Sequence, residues 1–228
     1  RKIGYALLVG GLLAAVGAYA LLWRHLAGEM RAAAEHFIAQ RRAEGHGVTH
    51  GPMEIGGFPF RLALTIAEPA MTHAPAALNW QSRRVTVYAQ PWNPRHLIVD
   101  AEGPHLFSWL DQGGPRLARL ETESLRASIV AAGDGWRRLS LELAGAAANL
   151  AGQRLTAARV TAHARRDAGA KVLDLALEAD NLALPAGAVP WASLGQVVGS
   201  LRFEGTVSGA WPEGPIMEAL GGWRDSGG

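Results

Sequence analysis

The chain contains no cysteine, so neither a disulfide framework nor thiol chemistry is available to it. Charge is sparse as well. Only 18% of residues are Asp, Glu, Lys or Arg, and 22 basic against 20 acidic side chains leave a net charge of +2. The basic residues are scattered along the chain, as in Arg83-Arg84, Arg137-Arg138 and Arg165-Arg166. Nucleic acid is therefore a poor partner, because phosphate-backbone binding rests on concentrated positive charge. Catalytic patterns are missing too. Ser108, Ser128 and Ser193 lack the G-x-S-x-G context of a nucleophile elbow. Asp100, Glu102 and Asp111 read as solvated surface charge. His46 and His50 follow Gly45 in a non-helical stretch, unlike the helical zinc pattern in which two histidines flank a glutamate. The expectation is a non-enzyme with no cofactor and no metal.

What the chain does have is one long uncharged run. Arg1 and Lys2 precede Ile3 to Trp23, and Arg24 and His25 close it. As a helix this run would be about 31 Å long, close to the hydrocarbon thickness of a bilayer. Residues 1–24 are expected to be a transmembrane anchor, with the positive N-terminal flank inside and the remainder of the chain outside the cytoplasm. The rival reading is a cleaved signal peptide, for which Ala18-Tyr19-Ala20 resembles a cleavage site, although the run is longer than a usual signal core. Gly10, Ala14, Gly17 and Ala18 line one side with small residues, open either to lipid or to a second helix.

Residues 25–46 predict a juxtamembrane amphipathic helix: Leu26, Met30, Ala33, Ala34, Phe37 and Ile38 share a face, and Gly45 and Gly47 stop it. That face either lies on the membrane or packs on the domain that follows. From residue 47 to residue 228 the period changes to two, which predicts a β-rich domain. Phe60, Leu62, Leu64 and Ile66 alternate with Arg61, Ala63 and Thr65, and Glu68-Pro69 ends the segment. Val85 and Val87, Leu97 to Val99 closed by a turn around Gly103-Pro104, Leu125 to Ile129, Leu139 to Leu143, Leu155 to His163, Leu173 to Leu177, and a last strand of Leu201, Phe203 and Thr206 to Ser208 continue the pattern. Trp191 to Val198 reads as one or two helical turns. Gaps this short leave no room for crossover helices, so the fold class is mainly β, a curved antiparallel meander with an apolar concave face. Phe60, Leu62, Leu64, Ile66, Val85 and Val87 are the candidate lining of a hydrophobic groove. Closure into a barrel or sandwich would bury the same residues without a ligand. Eight tryptophans among only sixteen aromatic residues lie mostly near strand ends or turns, where they plug a core or meet a membrane surface.

The most distinctive phrase is Gly56-Gly57-Phe58-Pro59-Phe60-Arg61. Two glycines free the backbone at a turn, Pro59 fixes φ, and two phenylalanines place large apolar area side by side. Together with Glu68-Pro69, Trp80, Pro91-Trp92-Asn93-Pro94 with His96, and Gly103-Pro104, this phrase resembles the bacterial domain-of-unknown-function family 2125, and more distantly the AsmA-like and YdbH-like envelope proteins. The resemblance covers roughly Leu7 to Gly214. It implies an N-terminally anchored envelope protein of a Gram-negative bacterium with a curved sheet suited to lipid, and it supplies no catalytic residue. The resulting expectation is a single-pass inner-membrane protein with its domain in the periplasm, handling phospholipid or another envelope lipid. The alternative is a scaffold subunit with an inner-membrane or periplasmic protein partner.

Overall fold

The computed structural model describes residues 2–73, 78–111, 114–133, 135–150, 152–167, 172–185 and 193–204. Among the described residues a single helix, α1 (Lys2–Ala43), runs unbroken through the apolar segment and the amphipathic one. The second helix expected over residues 25–46 is thus the distal half of α1. Gly45 ends it: its φ of +87° is a left-handed conformation that glycine adopts without steric cost, and the following turn ties His46 N–H to the Arg41 carbonyl at 3.0 Å. Gly47 is already part of the first strand.

Among the described residues fourteen strands follow: β1 (Gly47–Thr49), β2 (Met53–Gly56), β3 (Leu62–Ala67), β4 (Ala70–His73), β5 (Leu78–Gln81), β6 (Arg84–Gln90), β7 (Asn93–Glu102), β8 (His105–Asp111), β9 (Gly114–Glu121), β10 (Ser124–Ala132), β11 (Gly135–Leu150), β12 (Gln153–Asp167), β13 (Val172–Ala183) and β14 (Ser193–Glu204). They form one curved antiparallel half-barrel sheet.

The apparent branching of this sheet has a simple cause. β3 pairs with β6 while β4 pairs with β5, so residues 62–73 and 78–90 are two long strands, each bent once. Residues 93–111 and 114–132 repeat the arrangement, and the unbroken β11 pairs first with β10 and then with β9. The path is a meander of bent strands whose bends line up as a crease across the sheet, through Gly51, Glu68-Pro69, Ser82-Arg83, Gly103-Pro104, Thr122-Glu123 and Gly145. Hydrogen bonds stitch the crease: Glu68 N–H to the Arg83 carbonyl at 2.9 Å, Arg83 N–H to Glu102 at 3.2 Å, and Glu123 N–H to Ala144 at 2.9 Å. Glu68-Pro69 and Gly103-Pro104, read from the sequence as strand ends, are therefore bends within continuing strands. Proline lacks an N–H for the ladder, and a bend is where the ladder can spare one. At Gly145, with φ +57°, β11 turns through a left-handed conformation that favours glycine, and a Cβ there would stand 2.6 Å from the Glu123 side chain and push it aside.

Two further expectations are corrected. Phe60 does not belong to a strand: it sits in the turn before β3 and is exposed. Residues 193–198, expected to be helical, are the first half of β14. Leu194, Val197 and Val198 have helical spacing, but a full ladder with β13 overrides it. Trp191 itself, and Thr206 to Ser208, lie outside the described residues.

Candidate functional site

Cross-strand register sorts the side chains of the sheet into two faces, since directly paired residues point the same way. One row runs Ile55, Leu64, Val87, Val99, Ala127, Leu141, Ala162, Leu177 and Gly199, from β2 to β14. The row beside it holds Leu62, Ala89, Leu97, Ile129, Leu139, Ala164, Leu175 and Leu201. A third holds Met53, Ile66, Val85, Ala101, Leu125, Leu143, Val160, Ala179 and Val197. No polar side chain interrupts these three rows. Of the six groove candidates, Leu62, Leu64, Ile66, Val85 and Val87 all lie on this face, and Phe60 does not.

The opposite face is polar and cross-linked by charge. Arg126 and Asp100 pair directly across β10 and β7 at 2.7 Å, Arg84 meets Glu102 at 3.3 Å, Arg159 meets Glu142 at 2.8 Å, and Arg202 meets Asp174 at 2.7 Å. The hydrogen bond from Arg202 holds the Asp174 carboxyl below its ordinary range, and Asp100 raises the Arg126 guanidinium. Such exposed pairs each contribute about 0–1 kcal/mol, so they mark the wet side of the sheet more than they stabilise it. Asp100 and Glu102, read above as solvated surface charge, are both engaged in these exposed pairs.

Coverage of the apolar face is uneven. The distal half of α1 lies over one end: Trp23, Leu26, Ala27 and Met30, at helical spacing, pack with Leu62, Ala89, Ile55 and Leu97. Leu62 and Leu64 retain only 2% of their surface. Phe37, expected on the packed face, is instead exposed beneath the Arg41 guanidinium, 5.3 Å from its ring. Toward β14 nothing among the described residues covers the face. Leu177 and Leu201 are 50% and 63% exposed, and the strands from β10 to β14 enclose an open hollow of about 740 Å³ with an almost wholly apolar lining. The sequence pointed to β3 and β6 as the groove; the open part of the same face lies at the other end of the sheet.

The Gly-Gly-Phe-Pro-Phe-Arg phrase is where α1 is fastened. Gly57 has φ +98°, and a Cβ on it would stand 2.7 Å from the Arg61 carbonyl oxygen, so this tight turn is closed to any other residue. Arg61 N–H donates to the Gly57 carbonyl at 3.0 Å, and the Phe58-Pro59 peptide is cis. The carbonyls that the turn presents are taken by the helix: the Tyr19 hydroxyl donates to Pro59, and Trp23 Nε1 donates to Arg61 at 2.9 Å. Trp23 also meets the Phe58 ring edge-on at 5.5 Å, and the Arg61 guanidinium lies 4.9 Å over Tyr88. Gly56, by contrast, would admit a side chain freely.

The histidines are individually placed. His96 bonds Ser128 at 2.8 Å, His163 bonds Ser140 at 3.0 Å, and His46 stacks on His73 at 4.8 Å. His105 is fully buried against Trp80, with neither ring nitrogen hydrogen-bonded, and burial lowers its pKa from 6.5. No group of three or more His, Asp or Glu side chains suited to a metal is found among the described residues.

α1 is long and apolar enough to cross a bilayer, and its most apolar window has no residue buried inside the protein. The molecule thus falls in the class of curved antiparallel sheets borne on one membrane-length helix. It belongs to the DUF2125 family, described as uncharacterized protein conserved in bacteria, whose model matches residues 23–228. Neither curated proteins nor solved structures gave a match, and the wider likeness to AsmA-like and YdbH-like proteins has no support from these comparisons.

Proposed function

We propose that this protein is a non-catalytic, membrane-anchored lipid-handling component of the bacterial envelope, held in the inner membrane by α1 with its sheet in the periplasm. The observation that carries this reading is the apolar face: three uninterrupted rows across the sheet, roofed by α1 at β2–β7 and open at β10–β14. Sheet faces of this kind are normally buried by another layer. An acyl chain is a suitable layer, because each CH₂ withdrawn from water contributes about 0.8 kcal/mol. The hollow of about 740 Å³ also falls within the usual range of ligand sites, ~300–1,000 Å³.

The test is native mass spectrometry and lipid extraction of the full chain purified in mild detergent. Stoichiometric phospholipid retained through detergent exchange supports the reading. A lipid-free protein that co-purifies with one protein partner supports the scaffold alternative. Topology is checked separately by fusing alkaline phosphatase after Glu204: an active phosphatase is expected, and an inactive one refutes the periplasmic placement.

A further inference from the structure

Two turns on one rim of the sheet hold large aromatic side chains in water. Phe58 and Phe60, in the turn between β2 and β3, are 52% and 76% exposed, and Trp92, in the turn between β6 and β7, is 66% exposed. The register makes these turns neighbours: Leu62 pairs with Ala89 across β3 and β6, and Gln90 pairs with Asn93 on either side of Pro91-Trp92. A two-residue hairpin turn ordinarily takes Asn, Asp or Gly for their backbone freedom. Tryptophan meets no such need, and exposed apolar clusters of this kind mark contact surfaces.

The same rim is where α1 meets the sheet on leaving its most apolar part. Tyr19 and Trp23, one helical turn apart, donate to the carbonyls of Pro59 and Arg61, the residues on either side of Phe60. Trp23 is the last residue of the uncharged run, and Arg24 is the first charge after it. Along the helix axis Tyr19 and Trp23 are about 6 Å apart. The interfacial layer on each side of a hydrocarbon core is about 5–8 Å deep. With the run from Ile3 to Trp23 in the bilayer, the turn at residues 57–61 therefore stands at the height of the headgroups, not above them. Aromatic rings gather at this level because their apolar body suits the acyl boundary.

We infer that this aromatic rim is a second membrane-contact surface, and that Phe58, Phe60 and Trp92 enter the interface of the bilayer in which α1 is anchored. This rests on the membrane-anchored reading above and adds what the sheet itself touches. β13 and β14 end on the same rim, and Leu175 and Leu201 of the open trough stand three residues from those ends, about 10 Å along the strand. Seating the rim in the interface brings the mouth of the trough to the acyl chains it is read to accept.

The absence of cysteine lets a single introduced thiol be labelled uniquely. Phe60→Cys, Trp92→Cys, Leu12→Cys and Leu117→Cys, all at exposed positions, are made in the full chain, spin-labelled and reconstituted into vesicles of phosphatidylcholine and phosphatidylglycerol. Power saturation then compares collision of each label with oxygen, which concentrates in lipid, and with a nickel chelate, which stays in water. The oxygen-to-nickel ratio at positions 60 and 92 is expected to lie severalfold above that at 117, in β9 beyond the crease, and to approach that at 12, inside the uncharged run. Trp92→Phe keeps a ring at the site and removes a fluorophore, so quenching of tryptophan fluorescence by brominated phosphatidylcholine should decrease. Unchanged quenching in W92F, with ratios at 60 and 92 equal to that at 117, overturns the rim as a membrane contact, while a lipid-like ratio at 12 leaves the anchor standing. Labels at 60 and 92 that neither reagent reaches set the rim against protein and overturn the bilayer as its occupant. A water-like ratio at position 12 refutes the membrane-anchored reading itself.

Discussion

Replacing Gly57 with alanine should unfasten the helix from the sheet, and replacing its neighbour Gly56 in the same way should not. Alanine at φ +98° incurs left-handed strain of about 1–2 kcal/mol. Its Cβ would also fall 2.7 Å from the Arg61 carbonyl and 2.8 Å from Arg61 Cγ, distances that force the turn open. Opening the turn displaces the carbonyls of Pro59 and Arg61, which are the acceptors for Tyr19 and Trp23. Two such hydrogen bonds contribute about 0.5–1.5 kcal/mol each. The total loss is about 2–5 kcal/mol, or roughly 4–20 °C in apparent Tm for a chain of this size. Gly56 meets nothing within 4 Å where its Cβ would stand, so G56A should shift Tm by no more than about 2 °C. The assay is thermal unfolding of the full chain in detergent by circular dichroism, with limited proteolysis reporting exposure of residues 44–52. Equal melting of the two variants would refute the role of the turn as a rigid seat for α1.

Leu64→Asp and Leu177→Asp lie in the same row of the apolar face but should part ways. L64D buries a carboxylate at a site with 2% exposure and should cost several kcal/mol and unfold the protein, whereas L177D, half exposed, should keep wild-type melting and lose bound lipid; identical behaviour of the two would contradict the uneven roof. Trp23→Ala should lower stability by about 2–3 kcal/mol through loss of its bond to Arg61 and its packing on Phe58 and Leu62, and Trp23→Phe should recover part of this, as read by melting. Arg61→Ala should cost only about 0.5–1 kcal/mol, since its carbonyl remains for Trp23 and only the contact with Tyr88 is lost. His105 is neutral in the fold with a depressed pKa, so the unfolded chain binds the extra proton first: stability should fall as pH drops below about 6.5 until the folded pKa is reached, and His105→Phe should flatten that slope in melts across pH 5–8.

Much of this architecture was legible in the chain because strands buried on one face announce themselves by alternation. Leu62, Leu64 and Ile66, and the leucines at 139, 141 and 143, point where their spacing says. The crease was not legible. Pro69 and Pro104 signal the end of a ladder whether the chain turns back or merely bends, and only the partner strand decides. Beyond the bends, residues such as His105, Ser108 and Trp109 alternate weakly, so β4, β5, β8 and β9 carry no sequence signature of their own. Phe60 continues the alternation of β3 on paper, but Gly57 and the docking of Trp23 pull it into a turn. The groove was placed at β3 and β6 because their aliphatic pattern is strongest, and strong pattern there reflects the helix that seals them. The proximity of two arginine pairs was hidden for a different reason. Arg137-Arg138 and Arg165-Arg166 are 28 positions apart and look scattered, while the β11–β12 hairpin brings them face to face.

Because α1 passes from its bare half to its docked half with no proline, no glycine bend and no change of helical geometry between Tyr19 and Trp23, it has no swivel at the point where it meets the sheet. A helix 42 residues long is a rod of about 63 Å, and the sheet is clamped near its middle by Trp23, Ala27 and Met30. In a bilayer such a rod acts as a lever. Hydrophobic segments lean when the membrane thins, commonly by about 20°, and this lean is passed whole to the trough. Bilayer thickness then sets the angle at which the sheet meets the surface below it, without any hinge in the protein having to move.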